Sequence, residues 1–451
     1  MIPDEVLKIY KQLEQTGFQA FFVGGCVRDL LLKRDVKDWD LTTNATPDEI
    51  LKIFKDGFYD NVFGTVGVTY ELKDIKKVAE VTTFRTEQSF SPTHKPEKIA
   101  WGKTIEEDLQ RRDFTINAIA LRLIGKSNSF EMIDPYNGRF DLKKKLIKAV
   151  GIASQRFKED ALRLLRAIRI ATELSFKIEK TTWEKIVEDA LLLEHISKER
   201  IPIELLRILK SDNAYDGVIL LYKSTLLKYI IGELLEGIGV SQARPGRHHT
   251  EDVFTHNLLS LKFCPSKDPI VRFATLIHDV GKPRVVGKDE KGFVIFHNHE
   301  MVGAQMADEI CQRLKFSKKD REKVVTLVRW HMFSVNENQT DAAIRRFIRK
   351  IGVENVADMM DLRVGDRLGG GTQKAVSWRL KLFRQKIENE LKPAPFSIND
   401  LKIDGNDIME KLRIKPGPKV GDILQKLFEE VDDDLSKNNR EYLLSRIKDL
   451  A

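Results

Sequence analysis

A change of sequence pattern near residue 142 divides this chain of 451 residues. Before it, short runs rich in β-branched and aromatic residues alternate with amphipathic segments between turn signals, which predicts a small mixed β-sheet with helices. After it, apolar residues recur with the 3.6-residue period of helices that face a core. The predicted fold class is therefore α+β, with an N-terminal α+β part followed by all-α segments.

The clearest local signals set the expected element boundaries. Strands are predicted at residues 21–23, 39–41, 66–72 and 78–83, and helices at residues 1–14 and 47–54. The second helix opens with Thr46-Pro47-Asp48-Glu49, which is typical of a helix N-terminus. Breaks between the later helical segments are predicted at residues 242–248, 369–371 and 392–396.

Composition limits the class of protein and its partners. The length favours about two to four domains, and no apolar run of membrane-spanning length or signal-peptide pattern occurs. The three cysteines, Cys26, Cys264 and Cys311, are too scattered for a zinc finger and favour a reducing cytoplasm. The net charge of +8 favours a polyanionic partner such as nucleic acid. We therefore expect a cytoplasmic protein that does not bind membranes.

Two aspartates, Asp38 and Asp40, follow a glycine turn at Gly24 and Gly25 and the nearby Arg28. On a strand, residues two apart point to the same face, so the two carboxylates are expected side by side. Their repulsion is relieved by a cation, and Mg²⁺ prefers oxygen ligands while leaving positions open for substrate phosphates. The N–H groups of the glycine turn suit a triphosphate. This set indicates two-metal phosphoryl or nucleotidyl transfer.

A third carboxylate is predicted to complete this site. Glu80 lies in the predicted strand at 78–83, which we expect beside the strand of Asp38 and Asp40. A carboxylate there would help to hold the metal that lowers the pKa of an attacking 3′-hydroxyl. The alternative is a surface glutamate on an edge strand.

A polar cluster follows at Arg111, Arg112, Asp113 and Asn117. Guanidinium groups suit phosphate oxygens, and Asp113 and Asn117 suit hydrogen bonds to a ribose. A charged turn between elements is the alternative interpretation.

Four charged residues recur every third position at Asp160, Arg163, Arg166 and Arg169, which predicts one face of a helix. Such a face is ordinarily solvated or ion-paired. However, a carboxylate beside a guanidinium also complements the amine donor and ring-nitrogen acceptor that cytosine and adenine share, and that guanine and uracil lack. Asp160 with Arg163 is therefore predicted to select C and A without a template.

A second set of metal ligands is predicted between residues 250 and 370. It comprises His256, His278, Asp279, His299, His331 and Asp366. The order His, His-Asp, Asp resembles the HD-superfamily phosphohydrolases, and these ligands suit Ni²⁺, Mn²⁺ or Fe²⁺. His299 and His331 would add a second metal. The resemblance implies 2′,3′-cyclic phosphodiesterase or phosphatase activity, with a retained scaffold for tRNA binding as the alternative.

The N-terminal motifs are similar to those of the bacterial class II tRNA nucleotidyltransferases, the CCA-adding enzymes of the polymerase-β-like superfamily. The matching segments are residues 24–29, 38–40, 111–113, 134–142, 159–163 and 197–201 with Glu204. The resemblance implies a nucleotidyltransferase head at 1–142, a helical neck for base and RNA recognition at 143–240, an HD-type metal-binding domain at 241–385 and a tRNA-binding tail at 386–451.

The same resemblance implies the activity and the role of each residue. The expected reaction is template-independent addition of CMP and AMP, from CTP and ATP, to the 3′ end of tRNA, with contacts to its acceptor and T arms. Mg²⁺ is expected on Asp38 and Asp40, assisted by Glu80. The remaining roles are Gly24, Gly25, Arg28 and Arg112 for the triphosphate, Asp113 with Asn117 for the ribose, Asp160 and Arg163 for the base, and Arg166 and Arg169 for the template face or RNA.

The subtype is left open by the sequence. Residues 62–68 are closer to the CCA-adding pattern than to the poly(A) polymerases, and the loop at 86–103 is retained. Within that loop, Thr93-His94-Lys95-Pro96 replaces the usual Asp-x-Arg-Pro, so an A-adding specialist stays an alternative. A metal-dependent phosphohydrolase that acts on RNA ends and a non-catalytic RNA-binding protein stay open as well. The oligomeric state is not predicted.

Overall fold

The computed structural model describes residues 2–61, 64–86, 101–125, 129–243, 251–333, 340–372, 376–391 and 397–451. These residues form two compact units. The first contains Met1–Ile238, Lys267–Phe273 and Glu309–Arg321, and the second contains Gly239–Ser266, Ala274–Asp308 and Glu322–Ala451. The four-part division stays a prediction. Residues 87–100 of the predicted loop, the predicted breaks at 244–248 and 392–396, and Val62 and Phe63 of the subtype motif lie outside the described residues.

A seven-stranded mixed sheet forms the N-terminal part of the first unit. Its strands are β1 (Ala20–Val23), β2 (Trp39–Thr43), β3 (Phe58–Asn61), β4 (Thr65–Leu72), β5 (Ile75–Thr83), β6 (Ala120–Ile124) and β7 (Ser129–Ile133). Their order is β3-β4-β5-β2-β1-β6-β7, and only β2 and β5 pair in parallel. The four predicted strands are confirmed. Three strands, β3, β6 and β7, were missed. β3 and β7 lie at the sheet edges, where strands bury few side chains and so carry a weak apolar pattern. β6 is a short interior strand for which no strand was predicted.

The register of the central strands is continuous. β4 and β5 form a hairpin that pairs from Thr65 with Thr82 to Leu72 with Ile75. Its two-residue turn has φ 52° at Lys73 and 61° at Asp74, as the right-handed twist of a tight hairpin requires.

Eleven helices belong to the described part of the first unit before residue 238. They are α1 (Asp4–Gln15), α2 (Gly25–Leu31), α3 (Pro47–Ile53), α4 (Ile105–Gln110), α5 (Gly138–Lys144), α6 (Ala153–Glu159), α7 (Leu162–Leu174), α8 (Lys180–Glu188), α9 (Arg200–Lys210), α10 (Ala214–Lys223) and α11 (Leu226–Ile231). The predicted helices at 1–14 and 47–54 are confirmed as α1 and α3. Thr46 and Glu49 form the predicted capping box of α3.

The prediction of one helix running through Asp160 to Arg169 is wrong. α6 ends at Glu159, Asp160 has extended backbone angles, and α7 begins at Leu162. The Asp160 carboxylate accepts a hydrogen bond from the Leu162 N–H at 3.1 Å. Aspartate competes with helix continuation in this way, and it starts a new helix instead.

The second unit and the segments of residues 267–273 and 309–321 are mostly helical, as predicted. The helices are α12 (Val253–Phe263), α13 (Pro269–Ile277), α14 (His299–Arg313), α15 (Lys318–Trp330), α16 (Asp341–Ile351), α17 (Val356–Gly369), α18 (Trp378–Leu391), α19 (Gly405–Leu412), α20 (Pro418–Asp433) and α21 (Arg440–Leu450). Two-stranded pieces interrupt the predicted all-α part: β8 (Leu146–Ile147) with β9 (Lys177–Ile178) in the first unit, and β10 (Gly287–Lys288) with β11 (Val294–Ile295) in the second. Short 3₁₀ turns lie at Thr115–Asn117, Ala190–His195, Gly232–Gly237, Lys282–Val285, Val353–Asn355, Ile398–Asp400 and Leu435–Lys437.

Helices α12 and α17 lie unusually close together in the second unit. A Cβ atom added at Gly365 would lie 2.6 Å from the Ser260 carbonyl oxygen, and one at Gly369 would lie 2.5 Å from the Ser260 hydroxyl. Glycine at both positions therefore permits the close approach of the two backbones. Among the described residues, no helix is both long enough and apolar enough to cross a bilayer.

Candidate functional site

The parallel pairing of β2 and β5 brings two predicted carboxylates together. Asp40 is the direct register partner of Glu80. The neighbouring side chains Trp39 and Leu41 are buried in the core, so Asp40 and Glu80 lie on the opposite face of the sheet. Asp38 immediately precedes β2 and is exposed to solvent. The predicted placement of Glu80 beside the aspartate strand is confirmed.

The electrostatic environment of Asp40 favours a bound cation. Burial and the neighbouring carboxylates of Glu80 and Asp38 raise the pKa of Asp40 from 3.8 to about 7, and Arg112 partly opposes them. A divalent cation among these carboxylates would remove the repulsion, and an all-oxygen ligand set fits Mg²⁺.

The glycine turn packs tightly against this carboxylate group. Gly24 has φ 74°, and a Cβ atom there would lie 3.0 Å from Arg112 Nη1 and 3.2 Å from Asp40 Oδ2. The absent side chain therefore lets the backbone approach a cationic and an anionic group at once. The structure thus brings Gly24, Asp40 and Arg112 together as predicted.

A chain of hydrogen bonds connects the predicted triphosphate and ribose residues. Arg28 donates to Asn117 at 2.9 Å, and Asn117 donates to Asp113 at 3.0 Å. Arg166 donates to the other oxygen of Asp113 at 2.8 Å. Burial acts to raise the pKa of Asp113, but Arg166 and Asn117 hold it well below its usual range. These four predicted residues therefore form one preorganised network.

Asp108 is a site residue that the sequence analysis missed. Its buried carboxylate accepts from Arg111 at 2.7 Å and from Arg112 at 2.9 Å. Burial acts to raise the pKa of Asp108, but the two guanidinium groups lower it to about 2. Asp108 thus orients Arg112 towards the carboxylates. The sequence did contain a signal for this residue: Asp108 precedes Arg111 by three positions and Arg112 by four, which is the spacing of ion pairs on a helix.

The two predicted base-selecting residues line one cleft, but their side chains are held by other partners. This cleft of about 1240 Å³ is lined by Asp40, Glu80, Asp160, Arg163 and other polar residues. Arg200 donates to both Asp160 oxygens, at 3.2 and 2.8 Å. Arg163 donates to Glu159 at 2.7 Å and to the Arg111 carbonyl oxygen at 2.9 Å. Each group is therefore held in position by a different partner, and Arg200 was not assigned this role from the sequence.

Arg169 lies in the wall of the same cleft, but its charge is already paired. It donates to Glu204 at 2.5 Å and to Glu173 at 3.1 Å, and its side chain is 5% exposed. Its predicted contact with the template face or RNA stays a prediction.

The six predicted ligands of the second metal site converge within the second unit. His256 Nε2 lies 3.3 Å from both Asp279 Oδ2 and Asp366 Oδ1, and 3.2 Å from His278 Nε2. On the other side of Asp279, the Oδ1 atom lies 3.3 Å from His299 Nε2 and 3.4 Å from His331 Nε2. Asp279 therefore belongs to both groups of ligands, as a carboxylate that bridges two metals does.

The hydrogen bonds of the imidazoles show why this cluster fits metal ions. Nδ1 of His278, His299 and His331 lies 2.7 to 2.8 Å from the backbone carbonyl oxygens of Thr275, Phe296 and Val328 respectively. Each Nδ1 therefore carries a proton, and in the neutral imidazole this leaves the lone pair on Nε2, free to bind a metal. The Nε2 atoms face one another and the Asp279 carboxylate, an arrangement that protons or metal cations at the centre stabilise. Nitrogen and carboxylate ligands fit divalent transition metals.

Glycine and two cationic side chains support the cluster. A Cβ atom at Gly281 would overlap the His299 carbonyl oxygen, so the turn after Asp279 can approach α14 only with glycine there. Lys282 is hydrogen-bonded to Asp279 and to Gln242, and Arg363 donates to Asp366 at 2.9 Å. The sequence analysis did not assign roles to Lys282 or Arg363.

Comparison with known proteins decides the family. A CCA-adding enzyme of Limosilactobacillus reuteri is 30% identical to this chain over 449 residues, which cover 98% of this chain and 96% of the relative. The chain belongs to the family of CCA-adding enzymes. The predicted membership is therefore confirmed.

Further comparisons agree with the family of CCA-adding enzymes. The Geobacillus stearothermophilus CCA-adding enzyme is 42% identical over 229 residues, 51% of this chain and 54% of that protein. The crystal structure of the Bacillus stearothermophilus CCA-adding enzyme in complex with CTP matches with a TM-score of 0.73 and 26% identity, covering 100% of this chain and 98% of that one.

Three family models match separate parts of the chain. Residues 20–148 match the "Poly A polymerase head domain", and residues 175–237 match the "Probable RNA and SrmB- binding site of polymerase A". Residues 288–447 match a model of "tRNA nucleotidyltransferase domain 2". In this CCA-adding enzyme the carboxylates of β2 and β5 lie within the first of these segments.

Proposed function

We propose that this CCA-adding enzyme joins CMP and AMP, from CTP and ATP, to the 3′ end of tRNA, and that the reaction takes place at the β2–β5 carboxylates. The observation that carries the proposal is the direct register of Asp40 with Glu80 beside Gly24 and Arg112. Three neighbouring carboxylates beside a glycine turn and Arg112 suit the transfer of a nucleotidyl group.

The reaction follows from the chemistry of these groups. The 3′-hydroxyl of tRNA loses its proton to water and attacks the α-phosphorus of the nucleotide. A new phosphodiester bond forms, the bond to the β-phosphate oxygen breaks, and pyrophosphate leaves with that oxygen. Asp38, Asp40 and Glu80 would hold Mg²⁺, which, when bound, lowers the pKa of the attacking hydroxyl and neutralises charge. Arg112, oriented by Asp108, would hold the triphosphate together with Arg28.

Primer extension tests the main activity. Purified protein with Mg²⁺ is given tRNA transcripts that end before CCA, after C or after CC, with CTP, ATP or both. We expect all three to be completed to CCA and then to stop. Asp38→Ala should abolish addition of both nucleotides and leave tRNA binding unchanged, whereas loss of binding would make Asp38 a structural residue. Extension of the CC-ended transcript alone would identify an A-adding specialist, and a long A ladder a poly(A) polymerase.

Base selection is proposed to rest on Asp160 and Arg163, which line the cleft from fixed positions. Arg163→Ala should raise the incorporation of UMP and GMP relative to CMP and AMP, because the guanidinium that complements the C and A edge is gone. Arg207→Ala is the matched control, since Arg207 lines the same cleft with a half-exposed side chain that pairs with Glu173. An equal slowdown with all four nucleotides would contradict the template role.

A second function, metal-dependent phosphoester hydrolysis, is supported by the converging Nε2 atoms and the shared Asp279. His256, His278, Asp279 and Asp366 would hold one divalent transition metal, and His299 and His331, with Asp279, a second. When bound, such metals lower the pKa of water and polarise the phosphoester. Hydrolysis would form a bond from the water oxygen to phosphorus and cleave the bond from phosphorus to the ribose oxygen, which would take up a proton from the water.

The test of this second function has two readouts. We expect the purified protein to retain Ni²⁺, Mn²⁺ or Fe²⁺ after dialysis and to hydrolyse adenosine 2′,3′-cyclic phosphate. Asp279→Asn should abolish metal retention and hydrolysis, because Asp279 belongs to each of the two ligand groups. A wild-type protein that retains metal without hydrolysing the phosphoester would leave the cluster as a structural metal site.

A further inference from the structure

A cavity of about 480 Å³ lies in the second unit, and two residues of its wall are connected to ligands of the histidine cluster. Phe333, in its wall, follows the ligand His331 by two residues, and the Phe333 N–H donates to the His331 carbonyl oxygen at 3.1 Å. Arg363, also in the wall, donates to Asp366 Oδ2, whose other oxygen faces His256. The wall of the cavity and the ligand set are therefore built from the same backbone segments.

The cavity carries more positive charge than its surroundings neutralise. Three guanidinium groups line it, from Arg363, Arg367 and Arg379. Within the described ranges, Arg367 has no ion pair, and its Nε atom is buried without a hydrogen-bond partner. A partly buried guanidinium with unsatisfied donors is costly unless an anion binds to it. The cavity is therefore suited to a phosphate group.

Aromatic surface lies beside these charges. Trp378 lines the cavity with its side chain 58% exposed, and Phe333 adds a second ring to the wall. An exposed indole next to a cluster of guanidinium groups is the combination that binds a nucleobase and its phosphate together. A volume of about 480 Å³ is in the range of small-ligand sites.

We infer that this cavity is a nucleotide subsite of the histidine cluster, with Arg363 and Arg367 on the phosphate of a ribonucleoside monophosphate and Trp378 against its base. The inference rests on the proposed hydrolase function, because the nucleotide bound in the cavity would be the substrate of the histidine cluster. The nucleotide is free or is the terminal residue of an RNA, and both sources present the same phosphate and base.

Calorimetric titration of the full chain after removal of metals tests the subsite without requiring catalysis. The probes are adenosine 2′-monophosphate, adenosine and inorganic phosphate, together with an oligoribonucleotide that ends in a 2′-phosphate. Arg367→Ala and Trp378→Leu are compared with Arg384→Ala, an exposed residue on the same helix, α18, that does not line the cavity. Binding at the head is common to all variants, so differences among them report this cavity.

We expect Arg367→Ala to raise the Kd of adenosine 2′-monophosphate by about tenfold or more, and to weaken phosphate but not adenosine. Trp378→Leu should weaken the nucleotide and adenosine but not phosphate, and Arg384→Ala should match the wild type. The affinity for the oligoribonucleotide should fall in the same variants as that for the nucleotide if the source is an RNA end, and should be unchanged in all variants if the source is a free nucleotide. Unchanged nucleotide affinity in both Arg367→Ala and Trp378→Leu would overturn the inference.

Metal content and hydrolysis separate this inference from the function on which it rests. If the wild type retains metal and hydrolyses the phosphoester while both variants keep its KM, the subsite is wrong and the hydrolase stands. If the wild type retains no metal and both variants lose nucleotide binding, the subsite stands and the hydrolase is wrong.

Discussion

Asp108 shows how one buried carboxylate organises a catalytic surface that it does not touch. It lies between Arg111 and Arg112, and its side chain is fully buried. Removal of both guanidinium groups would leave the buried carboxylate uncompensated, which is costly. Because Arg112 lies against Gly24 and Asp40, the geometry of the predicted triphosphate site depends on this ion pair.

The pKa of Asp108 predicts a specific acid dependence of stability. Its pKa is about 2 in the folded protein against 3.8 ordinarily, so its contribution is fully present above about pH 4 and is lost as the pH falls towards 2. We expect the difference in free energy of unfolding between wild type and Asp108→Asn to shrink by about 2 kcal/mol from pH 5 to pH 2. Urea titrations across this range measure it.

The control for this prediction is Glu106→Gln, an exposed acid on the same helix, α4. It should show no comparable change with pH. A constant difference between wild type and Asp108→Asn across the whole range would mean that the carboxylate keeps its ordinary pKa in the fold.

At this scale the sequence revealed residue types better than residue partners. Asp40, Glu80 and Arg112 were predicted correctly as a group because strand periodicity and the glycine turn are local signals. The pairing of Asp160 with Arg200 spans 40 residues, and no local pattern indicates it. The roles assigned to the individual site residues stay predictions until the variants are measured.

At the scale of elements, the close packing of α12 against α17 holds the metal-ligand cluster together. α12 carries His256 and α17 carries Asp366, and Gly365 lies against the Ser260 carbonyl oxygen of α12. The ligand distance from His256 to Asp366 therefore depends on the absence of a side chain at Gly365.

Gly365→Ala should push α12 and α17 apart and weaken metal retention by at least about tenfold, because ligand geometry strongly affects affinity. CCA addition should be unchanged, since the β2–β5 carboxylates belong to the other unit. Metal analysis after dialysis and primer extension measure the two effects.

Gly421→Ala is the matched control, because Gly421 is also a helical glycine but has no atom within 4 Å of an added Cβ. It should raise the free energy of unfolding by about 0.5 to 1 kcal/mol without affecting metal retention. Normal metal retention in Gly365→Ala would show that the helices can separate without disturbing the cluster.

Elements with strong periodicity were predicted well, and those shaped by tertiary contacts were not. Burial alternates along the second half of β5, and β2 is buried at every residue except Asp40, so both strands were predicted at the correct positions. β3 and β7 lie at the sheet edges, and the break at Asp160 depends on a single side-chain-to-backbone hydrogen bond.

At the scale of the whole molecule, the two candidate sites belong to different compact units. The head carboxylates and their cleft lie within Met1–Ile238, and the six ligands of the histidine cluster lie in the second unit. Residues 267–273 and 309–321 belong to the first unit, although the residues on both sides of each segment belong to the second. A division of the sequence into consecutive domains could not have predicted this.

This separation predicts that inactivation of one centre spares the other. Asp38→Ala should lose CMP and AMP addition and retain metal and hydrolysis, Asp279→Asn should show the reverse, and the double variant should lose both. Activities measured on the same preparations check this. Loss of addition in Asp279→Asn, with an unchanged unfolding transition, would mean that the two centres are coupled.

The two-residue hairpin turn at Lys73 and Asp74 has a consequence for how this family can change by insertion and deletion. The turn sets the pairing of β4 with β5, and β5 carries Glu80 to its place beside Asp40. Exchange of the turn for another that accepts positive φ, such as Asn-Gly, leaves every partner in place. One added residue forces β5 either to bulge or to slip, and a slip by one position turns Glu80 to the other face of the sheet. Lineages that keep the carboxylate group should therefore vary the residues of this turn freely while inheriting its length.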